Sequence, residues 1–254
     1  MLDVDRYLQR IDYSGPTVPT LETLSALHQA HLLAVPFENL DIHLGRAIVL
    51  DEEALYDKIV ERRRGGFCCE LNGLFAALLR ALGFRVVLLS AGVAHAGGGF
   101  GPEFDHLLLV VDLQERWLAD VGFGDSFLEP VRLVTGEQVQ DGRVYRVDWN
   151  DERYILLRRE AGAGEEAMYR FTLEPHQLTD FTGRCRYHQS SPQSHFTQQR
   201  VCTRMTRRGK VTLSDTRLIV TTDGHRDEQP VTDERAYTAA LRKYFDIDLS
   251  FVSE

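Results

Sequence analysis

The apolar positions divide the chain into two regimes. Up to about residue 83 they recur at helical spacing. In TLETLSALHQAHLL, Leu21, Leu24, Leu27 and His31 fall on one face. Thr20 is the expected N-cap and Pro36 ends the pattern. A second helix is expected in DEEALYDKIVERR. Asp51, Glu52 and Glu53 suit its positive N-terminal end, and Arg62 and Arg63 its C-terminal end. A third runs from about Cys68 to Leu82 and stops at Gly83.

Beyond that point the period shortens. RVVLLSAGV, HLLLVVDL and RWLADVGF read as buried strands, rich in branched and aromatic residues. RVYRVDW, YILLRRE and MYRFTLE follow, separated by Asn-Asp and Gly-rich turns. EPHQLTDF reads as a single helical turn. KVTLSD, RLIVTTDG and QPVT form an expected meander, and DERAYTAALRKYF a final amphipathic helix capped by Thr232. No repeat, low-complexity tract or long linker interrupts the chain. The implied order is a helical unit, a central antiparallel sheet or barrel, and a small mixed unit.

Composition narrows the function. A chain of 254 residues is long enough to bury a sizeable core. Its 29 Lys and Arg against 38 Asp and Glu leave a net charge of −9, which repels nucleic acid and anionic lipid. No apolar run approaches the roughly 18 to 20 residues of a membrane span. The acidic start MLDVDRYLQRIDYSGP lacks a signal-peptide core, so a cytoplasmic location is expected. The four cysteines, Cys68, Cys69, Cys185 and Cys202, are then thiols. No CxxC pair or HExxH helix occurs, so no metal site is expected.

The chemistry concentrates in RRRGGFCCELNGLF, residues 62–75. Gly65 and Gly66 permit a tight turn, and Cys68 falls in the first turn of an apolar helix. Unpartnered N–H groups and the positive helix end there favour thiolate over thiol and can receive an oxyanion. Taken alone, two small buried hydrophobes explain the cysteines as well. Adjacent helical residues point about 100° apart, so both cannot serve one site, and periodicity alone does not choose between them.

A nucleophilic thiolate needs a base, and the base an orienting group. His106 opens one apolar strand and Asp120 closes the next in EFDHLLLVVDLQERWLADVGFG. With an odd-numbered loop centred on Gln114, His106 opposes Gly122 and shares a face with Asp120. A two-residue loop puts them on opposite faces. Singly, a strand-end histidine and a turn aspartate account for both. Together with Cys68, one site accounts for all three.

These segments resemble the arylamine N-acetyltransferases. In that family Arg-Gly-Gly-aromatic-Cys carries the nucleophile, followed by an Asn and a Leu-Phe pair. VPFENL at 35–40, HLLLVV, WLADVGFG, EPHQLTDF and YHQSSPQSHFT resemble its other motifs, in order from about residue 20 to 215. The absence of an extra segment before the last unit is similar to the shorter, prokaryotic type. The resemblance implies an α+β, papain-like cysteine-transferase fold. A helical bundle at 1–83 carries the nucleophile, an antiparallel β-barrel at 84–190 carries His and Asp, and an α/β lid covers 191–254.

The resemblance also implies a triad of Cys68, His106 and Asp120, with Cys69 packing beside it. The implied reaction is ping-pong acetyl transfer, with acetyl-CoA as co-substrate and no metal or prosthetic group. The acceptors are arylamines, arylhydrazines or arylhydroxylamines, as in xenobiotic metabolism. Phe37 and Phe123 are candidate walls of the acceptor pocket, with core packing as the alternative. Glu38 and Arg64 are expected to pair and hold the Gly-Gly turn, with solvated charges as the alternative. The partners implied are small aromatic amines or hydrazines and neither nucleic acid nor membrane, for a monomer or homodimer. Two rival readings are a cysteine amide hydrolase or amide synthase on the same triad, and a catalytically silent binding protein.

Overall fold

Residues 2–140, 142–160 and 162–249 are described by a computed structural model; the last five residues of the expected lid lie outside them. The first helical region matches its periodicity. The helix Leu21–Ala34 is capped by the Thr20 hydroxyl on the Thr23 N–H at 3.3 Å. The helix Glu52–Tyr56 is capped by Asp51 and continues as a π-helical turn, Asp57–Glu61. That wider turn lies beside Arg10, whose buried guanidinium donates to the carbonyls of Ile59, Ala34, Arg63 and Arg64. The helix Cys68–Ala81 is buried along nearly all its length.

Eight antiparallel strands curl into a nearly closed barrel. Its centre is Arg85–Val93 paired with His106–Asp112, which pairs in turn with Arg116–Ala119. The two edge strands, Val131–Arg132 and Gly136–Gln140, are joined by side chains. Gln138 accepts from the Arg132 N–H and donates to the Arg132 carbonyl, both at 2.8 Å. Gln140 likewise reaches Glu129 and Pro130. These amides satisfy groups that an open edge would leave unpaired.

The strand His106–Asp112 separates two cores. Leu107, Leu109 and Val111 pack with the helices, whereas Leu108 and Val110 fill the barrel. A third apolar cluster lies between the helix Glu234–Phe245 and a five-stranded antiparallel sheet. The edge strand of that sheet is Phe37–Glu38, paired with Val201–Thr206, so the third unit is stitched to the first.

Several expectations need correcting. The cap of the last helix is Asp233, which accepts the Ala236 N–H at 2.7 Å, and not Thr232. The strand expected across RWLADVGF ends at Ala119, because Asp120 turns to take side-chain and loop partners. The single turn expected at EPHQLTDF is the 3-10 turn Leu178–Phe181, and it runs on into a helix, Thr182–Ser190, that periodicity does not reveal. That helix is mostly polar and gains its order from Phe181 and Cys185, which pack into the first core. No helix among the described residues is long and apolar enough to cross a membrane.

Beneath the Gly65-Gly66 turn lies a buried ionic network. Arg64 donates to Glu38 at 2.7 and 3.0 Å and pairs with Asp41 at 3.1 Å. Lys58 bridges Asp41 at 2.8 Å and Glu70 at 2.7 Å. The second oxygen of Glu70 accepts the Phe67 N–H at 3.0 Å, just before Cys68. Burial pushes Glu70 up to about 7 even though Lys58 opposes it. Lys58→Met leaves the buried Glu70 without its cation, while Asp41 keeps only Arg64. Urea unfolding of that variant is expected to show a loss of about 3–5 kcal/mol; an unchanged midpoint would show the network to be dispensable.

Candidate active site

Helix and sheet meet at Gly122. A Cβ there would lie 2.8 Å from both the Cα and the carbonyl oxygen of Cys68, so only glycine lets the helix start approach the strand end. Gly65 is equally constrained, since a Cβ would collide with the Pro36 carbonyl. Asn72, one turn along the helix from Cys68, fastens the two elements. Its amide donates to the Leu107 carbonyl at 2.6 Å and to Asp120 Oδ1 at 2.8 Å, and its oxygen accepts the Val121 N–H at 2.9 Å.

The hairpin has the odd loop. Leu109 pairs with Ala119 and Asp112 with Arg116, leaving Leu113 to Glu115 between them. Continued, that register sets His106 opposite Gly122 and on the same face as Asp120. His106 Nε2 donates to Asp120 Oδ2 at 2.8 Å. Both side chains are at the barrel's rim, where the strands end and the helix start closes over them. Tyr169 stacks on the imidazole at 5.3 Å, and Phe123 meets it edge-on at 5.2 Å.

With Nε2 engaged, Nδ1 is left for the sulfur. Cys69 hydrogen bonding, then His106, carries Cys68 well below the ordinary thiol range. Burial would lower His106, but Asp120 and Cys68 outweigh it and raise the imidazole to about 10. Asp120 would likewise rise on burial. His106, Asn72 and the Gly122 N–H instead hold it down. These directions favour a thiolate–imidazolium pair backed by a carboxylate.

Cys69 is not turned fully away. Its sulfur lies 3.8 Å from that of Cys68 and shares a thiol hydrogen with it, while burial and the neighbouring thiolate keep Cys69 itself protonated. The structure thus brings together Cys68, His106 and Asp120. Phe37 and Phe123 line a cavity of about 650 Å³ that opens onto Cys68. Glu38 and Arg64 pair beneath the glycine turn, away from the cavity.

Sequence reasoning missed two supports. His28 is buried and stacks on Phe127 at 5.5 Å. Its Nδ1 donates to the Leu128 carbonyl and its Nε2 accepts the Asp120 N–H, each at 3.0 Å. Burial pulls it down to about 4, which keeps that acceptor neutral. Asp105 stands beside His106 and accepts from Arg184 and His188. No local pattern marks either one. Asn72, by contrast, is readable as the fourth residue after Cys68 on the same helix face.

Comparison with known proteins follows the same lines. An N-acetyltransferase family model matches residues 20–253. The arylamine N-acetyltransferase / N-hydroxyarylamine O-acetyltransferase of Salmonella typhimurium is 38% identical over 252 residues, which cover 97% of this chain and 89% of that one. Proansamycin X synthase of Amycolatopsis mediterranei is 32% identical over 251 residues, 96% of each chain. The solved structure of Mycobacterium marinum arylamine N-acetyltransferase in complex with CoA is 33% identical, with a TM-score of 0.91 over 99% of this chain and 95% of that one.

The four thiols are electrostatically unequal. Burial lifts Cys185 to about 12 and Cys202 well above its ordinary value, opposite to Cys68. Limited iodoacetamide labelling of the native protein near neutral pH is expected to mark Cys68 first in peptide mapping, by about tenfold or more. Equal labelling of Cys68 and Cys185 would contradict the charge pair.

Proposed function

This chain belongs to the arylamine N-acetyltransferase family, and from that premise we propose that it carries an acetyl group from acetyl-CoA on Cys68 to an aromatic acceptor. The acceptors are arylamines and arylhydrazines, acetylated on nitrogen, and arylhydroxylamines, acetylated on oxygen. The observation that carries this reading is the His106–Asp120 bond beside the start of the cysteine helix, with Cys68 and His106 lining a cavity large enough for an aromatic ring.

In the first half-reaction the Cys68 thiolate attacks the thioester carbonyl. The carbon–sulfur bond to CoA breaks, and the departing CoA thiolate takes the His106 proton. A thioester replaces a thioester, so the step is nearly isoenergetic. In the second, the neutral imidazole accepts a proton from the acceptor as its nitrogen or oxygen attacks the acetyl carbon. Cys68 leaves as thiolate and the ion pair is restored. Asp120 fixes the ring through both steps. Arylamines are neutral at pH 7 and need no prior deprotonation. Phe37 and Phe123 wall the acceptor's ring, and Glu38 with Arg64 supports the glycine turn from below.

The CoA complex of the M. marinum relative and the O-acetyltransferase activity named for the Salmonella relative support the donor and the oxygen acceptors. The likeness to proansamycin X synthase favours a second reading, an amide synthase in which a tethered amine resolves the same acyl-enzyme. Mixing the enzyme with acetyl-CoA and an arylamine, then with acetyl-CoA alone, separates them. Acetylated arylamine supports the first reading; CoA release without it supports hydrolysis or a tethered acceptor.

A p-nitrophenyl acetate burst is expected from the parent and from Cys69→Ala, and none from Cys68→Ala. A burst surviving in Cys68→Ala overturns the assignment. The acylation rate should be level across neutral pH, since thiolate and imidazolium coexist there. It should fall at the alkaline end as His106 loses its proton near pH 10, and at the acid end as the thiolate is protonated. A single-turnover rate that keeps climbing through the ordinary thiol range, about 8.5, would refute the pair.

A further inference from the structure

The segment that delivers His106 is held by contacts other than the one to Asp120. Phe104 has φ of +64°, a left-handed conformation that a bulky side chain adopts only under constraint. Its N–H donates to Ser90 Oγ at 2.6 Å, and its ring packs edge-on to Phe181 at 5.2 Å. Asp105 follows. Its backbone carbonyl oxygen lies 3.9 Å from the Cys68 sulfur. Its carboxylate accepts from Arg184 Nε and NH2 at 2.8 and 2.6 Å and from His188 Nε2 at 3.1 Å.

His188 is itself fixed. It is only 4% exposed, its Nδ1 is 3.1 Å from Ser194 Oγ, and its ring meets Phe196 edge-on at 5.1 Å. Burial alone would raise the Asp105 carboxyl, yet the bonds from His188 and Arg184 bring it down to about 2, so the clamp stays ionic at neutral pH. Two consecutive residues are thus bound to different elements. Asp105 is tied to the helix Thr182–Ser190, and His106 to Asp120 on the neighbouring loop.

We propose that His188, acting through the Asp105 carboxylate together with Arg184, is a positioning residue for the Cys68–His106 pair. It holds the strained turn so that the imidazole stays presented to the sulfur. The helix Thr182–Ser190 is then part of the catalytic scaffold, although none of its residues takes part in the triad. The inference rests on the triad reading given above.

The test compares two variants of the full chain. His188→Leu fills the space but cannot donate to Asp105, whereas His188→Gln keeps an amide N–H for it. Cys68 alkylation by iodoacetamide at fixed neutral pH is measured alongside kcat and KM with acetyl-CoA and an arylamine. A displaced imidazole is worth about 10- to 100-fold in rate. His188 also lines the acceptor cavity, so KM is left free; His188→Leu is expected to slow alkylation and lower kcat by that factor, with Tm within a few degrees of the parent. His188→Gln is expected to recover most of the loss. Parent-like alkylation in His188→Leu overturns the proposal, as does equal impairment in both variants or a loss that only tracks unfolding. Alkylation requires no acetyl donor, so failure of the acetyltransferase reading is seen separately, as an inactive parent whose Cys68 still responds to the two substitutions.

Discussion

An ionised sulfur and a protonated imidazole, each buried alone, would be among the costliest groups a protein can hold. Buried together, with a carboxylate behind the imidazole, they stabilise one another. In the proposed function, that mutual stabilisation is the constraint the rest of this structure serves. Cys68 is 4% exposed, His106 2% and Asp120 fully buried, so solvent does little to screen them and small displacements matter. The scaffold must hold a helix end and a barrel rim in fixed register, and most unusual features of the chain do that.

Three kinds of device contribute. Glycines at 65 and 122 remove side chains where backbones must touch. Neutral polar side chains, Asn72 and His28, bind the Asp120 segment from the helix on one side and from Leu21–Ala34 on the other. Ionic and hydrogen-bonded side chains hold the loops. Glu38, Asp41, Lys58, Arg64 and Glu70 are buried beneath the glycine turn, and the half-buried Asp105 and Arg184 stand beside His106 with His188 bonded to Asp105. Buried ion pairs add little net stability against apolar replacements, but they fix geometry, and geometry is what the pair needs.

Much of this was legible in the chain. The helix from Cys68 to Gly83, its glycine turn, and the His106 and Asp120 strand ends follow from periodicity and from residues out of place in apolar runs. The loop's parity, on which the same-face arrangement depends, is not legible in sequence, because a three-residue and a two-residue connection are both compatible with LQE. The choice between Cys68 and Cys69 came from resemblance, and the sulfurs lie closer together than simple helix phase implied. What stayed hidden is long-range. His28 reaches Asp120 and His188 reaches Asp105 across 92 and 83 residues, and nothing local to either histidine announces a partner. The polar helix Thr182–Ser190 was invisible for a related reason: its order comes from a few contacts with a distant core.

Ultraviolet thiolate absorbance, titrated in the parent, Cys68→Ala and His106→Ala, addresses the charge pair most directly. The account predicts one thiolate in the parent throughout the neutral range, absent from Cys68→Ala and titrating at much higher pH in His106→Ala. A parent whose only thiolates form in the ordinary thiol range, indistinguishable from His106→Ala, would contradict it.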